Sequence, residues 1–319
     1  MAKPFNRRGV TSLIEAKGGS IFGLGIGNVY WVIQTTNGDY TRFVRDMQFT
    51  YPDGTSSVYG DVQTALDACV DERNDYVLVM PDTADYDVGA TLTVSKANSH
   101  LICVAGLGAK FGAATRAATI DPNGAFDAIT VTGRGCEVAG FWIRGATEKG
   151  CVTVSGLGCW IHHNDCAVTA TTSLAFGVTI ESAGAEGRVE NNFIFSNAGS
   201  GTWLHGISLH QSATRSSASG NVIHASNGTT LTVGIDSTSV GANVNGALMT
   251  IADNYIMEAG AFGAYGASTI TAGIRAADSA LVVNNRIGIA TAANGVIGGL
   301  ADSSFISNYE GTSGGTLLT

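Results

Sequence analysis

The chain is short of the features that announce most functional classes. Only 4 of its 319 residues are proline and only 13% are charged. Both figures argue against a disordered segment, where charge and proline rise. No run of 18 apolar residues occurs, and the nearest candidate, residues 21–33, is broken by Gly23, Gly25, Gly27 and Asn28, so no helical membrane span is expected. The opening Met-Ala-Lys-Pro-Phe-Asn-Arg-Arg lacks the continuous apolar core of a signal peptide behind it. A chain made and kept in a cytoplasm until something releases it is therefore expected. Basic residues (17) are fewer than acidic ones (26), and the net charge of −9 comes without a basic cluster in the repeats, which argues against a nucleic-acid partner. Metal-ligand spacing is missing too. Cys69, Cys103, Cys136, Cys151, Cys159 and Cys166 read as free thiols buried as small hydrophobes in a reducing compartment. No cofactor is expected.

What the chain does have is glycine (43 residues) and a repeat. Val189-Glu-Asn-Asn-Phe-Ile194 returns as Ile251-Ala-Asp-Asn-Tyr-Ile256 and Val282-Val-Asn-Asn-Arg-Ile287, with Val138–Ile143 and Ile161–Cys166 upstream and weaker copies at 218–223 and 305–310. The fourth position holds Phe141, Asn164, Asn192, Asn221, Asn254, Asn285 and Asn308. A spacing in the twenties and low thirties marks a solenoid. Each copy holds two short β-rich pieces about a bend, too short for a helical repeat. Asn tolerates the left-handed conformation of a sharp corner, and corners stacked at the ~4.8 Å strand spacing let each amide bond the next. The expectation is an all-β, right-handed parallel β-helix of roughly eight to ten coils, about 40–50 Å long, with these Asn forming an internal ladder. A second register of glycines (Gly150, Gly177, Gly206, Gly234, Gly273, Gly295) precedes apolar-x-apolar strands, so one coil carries three strands.

Residues 1–58 read as an N-terminal arm and docking segment, and 59–319 as the solenoid. Lys3, Arg7, Arg8 and Lys17 against Glu15 give the first 27 residues a basic surplus ahead of an acidic body, the charge pattern of a docking arm. Val29–Ile33, the Asn37-Gly38 turn and Tyr40–Phe49 read as a hairpin. Residues 61–73 read as a helix, with Val62, Leu66, Cys69 and Val70 on one face, placed to cover the open end of the core.

That helix, Val62-Gln-Thr-Ala-Leu-Asp-Ala-Cys69, and the strand Tyr76-Val-Leu-Val-Met-Pro81 resemble the N-terminal opening of the pectate-lyase-like right-handed β-helix superfamily. Asp82–Tyr86 stands where that superfamily usually has Pro-Gly. With Val29–Val32 and Asp53-Gly54, the opening is more narrowly similar to virion β-helix proteins of tailed phages. The resemblance implies a virion location, assembly in a host cytoplasm and partners among capsid or other virion proteins.

The superfamily's hydrolases carry Asn-Thr-Asp or Asp-Asp clusters, and its lyases place calcium-binding Asp beside an Arg or Lys base. Neither Asn-Thr-Asp nor Asp-Asp occurs here. Glycosidic chemistry needs two carboxylates about 5–9.5 Å apart, and no carboxylate pair falls at one offset in the aligned coils. His162–Glu190 and Glu181–His210 align as isolated pairs, more readily ion pairs than catalysts. His205-Gly206 is read as a histidine before a strand glycine. His162 to Cys166 alternate between faces and so are not expected to converge on a metal. Trp142, Trp160 and Trp203 are read as packing before sugar stacking. The resulting expectation is a non-enzymatic virion structural protein, a capsid decoration or surface protein held by its N-terminal segment, forming a homo-oligomer, trimer favoured. The alternative is a tailspike or depolymerase that binds or cleaves surface glycans.

Overall fold

The computed structural model describes residues 27–104, 117–169, 175–196, 201–225, 228–238, 248–258, 269–276, 280–289, 296–297, 304–306, 308–310 and 316–318. They form a right-handed parallel β-helix. Three sheets run its length, with 11, 10 and 8 strands. A typical coil is Glu137–Ala139 in sheet I, Trp142–Arg144 in sheet II and Gly150–Val154 in sheet III, and the chain re-enters sheet I at Trp160–His162. The eight strands of sheet III mark eight coils within the expected range, and 11 stacked strands span about 45–50 Å.

Alternation builds the bore. In sheet II, Ile143, Cys166, Ile194, Ile223 and Ile256 pair strand to strand, and each is essentially unexposed. Burial of such columns drives the stacking, because no single coil can enclose its own apolar face. Cys136 and Cys159 face each other on adjacent coils as free thiols, Cys136 donating to Lys96 O and Cys159 to Gly133 O, both at 3.1 Å.

The corner between sheets I and II holds the ladder. Asn164 Nδ2 donates to Asn192 Oδ1 (3.2 Å), Asn192 to Asn221 (3.0 Å), Asn221 to Asn254 (3.0 Å), Asn254 to Asn285 (2.9 Å) and Asn285 to Asn308 (2.9 Å). The backbone N–H of each donates to the same oxygen at 3.0 Å, and Phe141 N–H closes the series on Asn164 Oδ1. Every ladder Asn is buried. The left-handed residue, however, is the one before it: Gly140, His163, Asn191, Gly220, Asp253 and Asn284 have φ between +53° and +83°. The corner and the ladder are thus separate duties. The preceding residue turns the chain, and the amide points inward to satisfy buried backbone groups.

Gly177, Gly206, Gly234 and Gly273 stack as expected. A Cβ on Gly177, Gly206 or Gly234 would lie 2.5–2.6 Å from the carbonyl oxygen of the next glycine. Gly150 is one residue out of that column, paired with Phe176, and Cys151 takes the position opposite Gly177. Gly295 lies outside the described residues.

The N-terminal reading needs two corrections. Val29–Val32 is a strand of sheet I, paired in parallel with both Val58–Tyr59 and Tyr76–Val79. Both its edges are therefore filled, no hairpin partner fits, and Val29–Val32 and Val58–Tyr59 are strands of the rod itself. Residues 40–47 instead form helix α1 (Tyr40–Met47), preceded by a turn in which Asn37 Oδ1 accepts from Asp39 N–H, with Phe43 edge-on to Trp31 at 5.7 Å. The second helix, α2 (Val62–Asp67), is shorter than 61–73. Asp61 caps it by accepting from Thr64 N–H at 2.8 Å. It stops early because Asp75 accepts Val70 N–H (2.8 Å) and Arg73 Nε (2.7 Å), while Asn74 and Glu72 take positive φ. Its buried Val62, Ala65 and Leu66 pack on the core at the rod's first end. Lys3, Arg7, Arg8 and Lys17 lie outside the described residues.

Candidate functional site

Chemistry-bearing side chains gather on the outer faces of the first coils. On sheet II, Asp87 pairs in register with Asp121. The next strand pairs Trp142 with Thr119 and Ile143 with Ile120, which brings Arg144 beside Asp121. Arg144 Nη1 reaches Asp121 Oδ2 at 2.5 Å and Asp85 Oδ2 at 2.6 Å, with all three side chains about a third exposed. Burial pulls the Arg144 guanidinium toward losing its proton, but the hydrogen bond and charge of Asp121, joined by Asp85, outweigh it and hold its pKa above the usual value. Asp87 is exposed and has no hydrogen bond or ion pair among the described residues.

An open groove of about 250 Å³ runs past this row, lined by Gln34, Thr35, Thr36, Asp61, Asp85 and Asp87 among others. Side chains fix its wall. Gln34 Nε2 donates to the carbonyls of Asp85 (2.9 Å) and Ala84 (3.2 Å), and Asn37 Nδ2 donates to Asp82 at 2.8 Å. A pair of carboxylates at one offset therefore does exist. Counting from the ladder missed it because the first coils carry no ladder Asn, and Met80 to Tyr86 are joined by a longer link than the two-residue corner. The signal available in the sequence was the spacing of Asp87 and Asp121 about the apolar pairs Tyr86/Val88 and Ile120/Pro122.

Sheet I carries a second row. Glu137 receives His100 Nδ1 on Oε2 and His162 Nε2 on Oε1, both at 2.6 Å. His162 is in register with Glu190, as aligned, yet its bonds go to Glu137 and to His163, the two Nδ1 atoms 2.7 Å apart. The expectation that neighbours in 162–166 point apart fails at His163, whose φ of +53° interrupts strand alternation. Glu137 is desolvated, which would raise its pKa, but the hydrogen bonds and charges of His100 and His162 overcome this and lower it to about 2. His163 is lowered below its ordinary range by burial and then by His162, against the pull of Glu190.

On sheet III, His205 Nδ1 lies 3.5 Å and Arg275 Nη1 3.4 Å from Asp236 Oδ2, while Asp236 Oδ1 accepts from Thr238 N–H and hydroxyl. His205 is thus more than a histidine before a glycine, and burial lowers its pKa. His210 Nδ1 accepts from Ser212 N–H at 3.1 Å, and no bond joins it to Glu181 among the described residues. Trp203 is fully buried packing. Trp142 and Trp160 are half-buried, the first edge-on to Phe195 at 5.3 Å, the second stacked on His162 at 3.7 Å beneath the Arg188 guanidinium. Among the described residues, no three His, Cys, Asp or Glu side chains converge to hold a metal.

No protein-family profile matches the sequence, and no curated protein matches it. A solved structure, alginate lyase from Paenibacillus sp. str. FPU-7, is similar with a TM-score of 0.44 and 11% identity, over 78% of this chain and 92% of that one. The expectation that this chain is non-enzymatic is withdrawn, because the register of Asp87 with Asp121 removes the sequence argument on which it rested.

Proposed function

We propose that the protein is a polysaccharide-binding and -cleaving β-helix whose working face is the start of sheet II. The observation that carries this reading is the in-register pair Asp87 and Asp121 beside Arg144 and an open groove. Adjacent strands hold the two backbones about 4.8 Å apart, close to the ~5–5.5 Å carboxyl separation of retaining glycoside hydrolysis. Arg144 positions Asp121 and leaves Asp87 facing solvent, so the two carboxylates have the unlike surroundings that an acid–base division of labour needs. Asp61, Asp85 and Asp87 line the groove with no cation among its lining residues, which disfavours a polyanion and favours a neutral glycan.

The test is incubation of the full chain with a panel of neutral and acidic polysaccharides, alginate included, following reducing ends and unsaturated uronate absorbance. Reducing ends from a neutral glycan, lost in Asp87→Asn and in Asp121→Asn, are the expected result. Unsaturated product would overturn the hydrolytic reading. Neither binding nor turnover on any glycan would overturn the proposal.

As the place of work, we infer the surface of a tailed-phage particle, as a spike or capsid decoration assembled in the host cytoplasm. The segments Val62–Cys69 and Tyr76–Pro81 support this by resemblance, with Lys3, Arg7, Arg8 and Lys17 as docking cations. Purified particles containing the chain at fixed stoichiometry, and light scattering for a trimer, test it.

A further inference from the structure

Three groups of buried or half-buried charge stand outside the sheet II site, and the row on sheet I is the one whose bonds determine its protons. Asn74 Oδ1, His100, Glu137, His162 and His163 form one continuous chain of contacts of 2.9, 2.6, 2.6 and 2.7 Å. Donors and acceptors can be counted along it. His100 faces an oxygen at each ring nitrogen, the Asn74 carbonyl at Nε2 and the Glu137 carboxylate at Nδ1. Two acceptors require two donors, so both nitrogens carry protons. His162 presents Nε2 to the other Glu137 oxygen and therefore donates there, and His163 Nδ1 supplies the proton that His162 Nδ1 accepts. His163 is left with a free Nε2 on an exposed side chain.

We propose that this row is a built-in proton sensor on the face of sheet I: an imidazolium His100 paired with the carboxylate of Glu137, His162 and His163 locked in complementary tautomers, and His163 Nε2 as the port that takes up one proton on acidification. Uptake forms one N–H bond at Nε2 and breaks none. The Nδ1–H donated to His162 remains, and the row passes from zero to one net positive charge.

The groups that face the row are Tyr76, stacked on His100 at 4.3 Å, Trp160 of the same strand as His162 and stacked on it, Arg188 above Trp160, and Glu190, paired in register with His162. Arg188 and Glu190 are of opposite sign, so the new charge is not cancelled by a fixed excess. The depressed pKa of Glu137 agrees with a carboxylate that accepts on both oxygens. The proposal is independent of glycan chemistry on sheet II.

The chain has 6 histidines, few enough for long-range proton–nitrogen NMR on ring-labelled full-length protein, assigned with His100→Gln and His163→Gln. At pH 7.5, the expected result is one doubly protonated ring (His100), one Nε2–H ring (His162) and one Nδ1–H ring (His163). Lowering the pH to 5 shifts His163 Nε2 to the protonated position. A neutral His100 at pH 7.5, or a His163 that does not titrate by pH 4.5, overturns the proposal. Should a variant fail to fold, the unsubstituted protein decides alone. One doubly protonated ring beside one Nε2–H and one Nδ1–H ring at pH 7.5 supports it, and the absence of that set rejects it.

Discussion

The rod has two unlike halves. From Asn164 onward the corner is uniform, with an αL residue followed by a buried Asn whose amide is saturated by its neighbours. Before it, Phe141 replaces the amide, and the link from Met80 to Tyr86 replaces the two-residue corner. The charged networks of the first half are dense: Arg73 with Asp53 and Asp75, Arg144 with Asp85 and Asp121, and Glu137 with His100 and His162. In the second half, the described ones are His205–Asp236–Arg275 and the surface contact Arg215–Glu186. The difference shows how a solenoid divides labour. A repeated neutral amide makes every coil support the next and leaves little freedom for local change, while irregular coils place unlike charges side by side at positions no repeat dictates.

The largest effect is expected from Asn221→Ala. It removes four buried bonds: two accepted from Asn192, and two donated by Nδ2, to Val189 O and to Asn254. Each orphaned buried group costs about 1–3 kcal/mol, so a loss of roughly 3–6 kcal/mol is expected in denaturant unfolding. Phe141→Ala, at the same corner without an amide, should cost about 3–5 kcal/mol through a cavity while the Asn192–Asn285 bonds keep their hydrogen-exchange protection.

In the first half, Asp121→Asn should leave the melting curve nearly unchanged and lower glycan turnover by about 10²–10⁴-fold, measured as reducing ends per minute. A drop in stability with turnover intact would make the row purely structural.

A smaller effect is expected from acid. Glu137 is depressed from its ordinary 4.5 to about 2, so its stabilising contribution is complete above pH 4.5 and is lost as pH falls toward 2. Melting temperature should fall across that window, and less so in Glu137→Gln. The mildest change is Asp61→Ala, which removes the cap of α2 and should cost about 1 kcal/mol, read by thermal unfolding.

How legible each half was follows from the same contrast. Asn192, Asn254 and Asn285 were found by counting because an inward amide must recur at one position in each coil. Gly150 misled by one place, since a glycine before an apolar run is satisfied equally by a strand start and by the stacked column. Asn37-Gly38 read as a hairpin turn because its local preference is strong. The strand before it was already paired on both edges, a fact that only Tyr76–Val79 and Val58–Tyr59 supply. Asp87 and Asp121 are 34 residues apart with no ladder Asn between them to count from.

The periodic amides and alternating apolar residues were by themselves enough to determine a parallel β-helix with an internal ladder, because stacking at one strand spacing turns a linear repeat into a column. Tertiary structure alone decided which charges meet, including Arg144 between Asp85 and Asp121 and His163 turned back onto His162. Those meetings depend on loop lengths and on a left-handed corner, and a side chain's partner across coils is set by register, which local sequence does not encode.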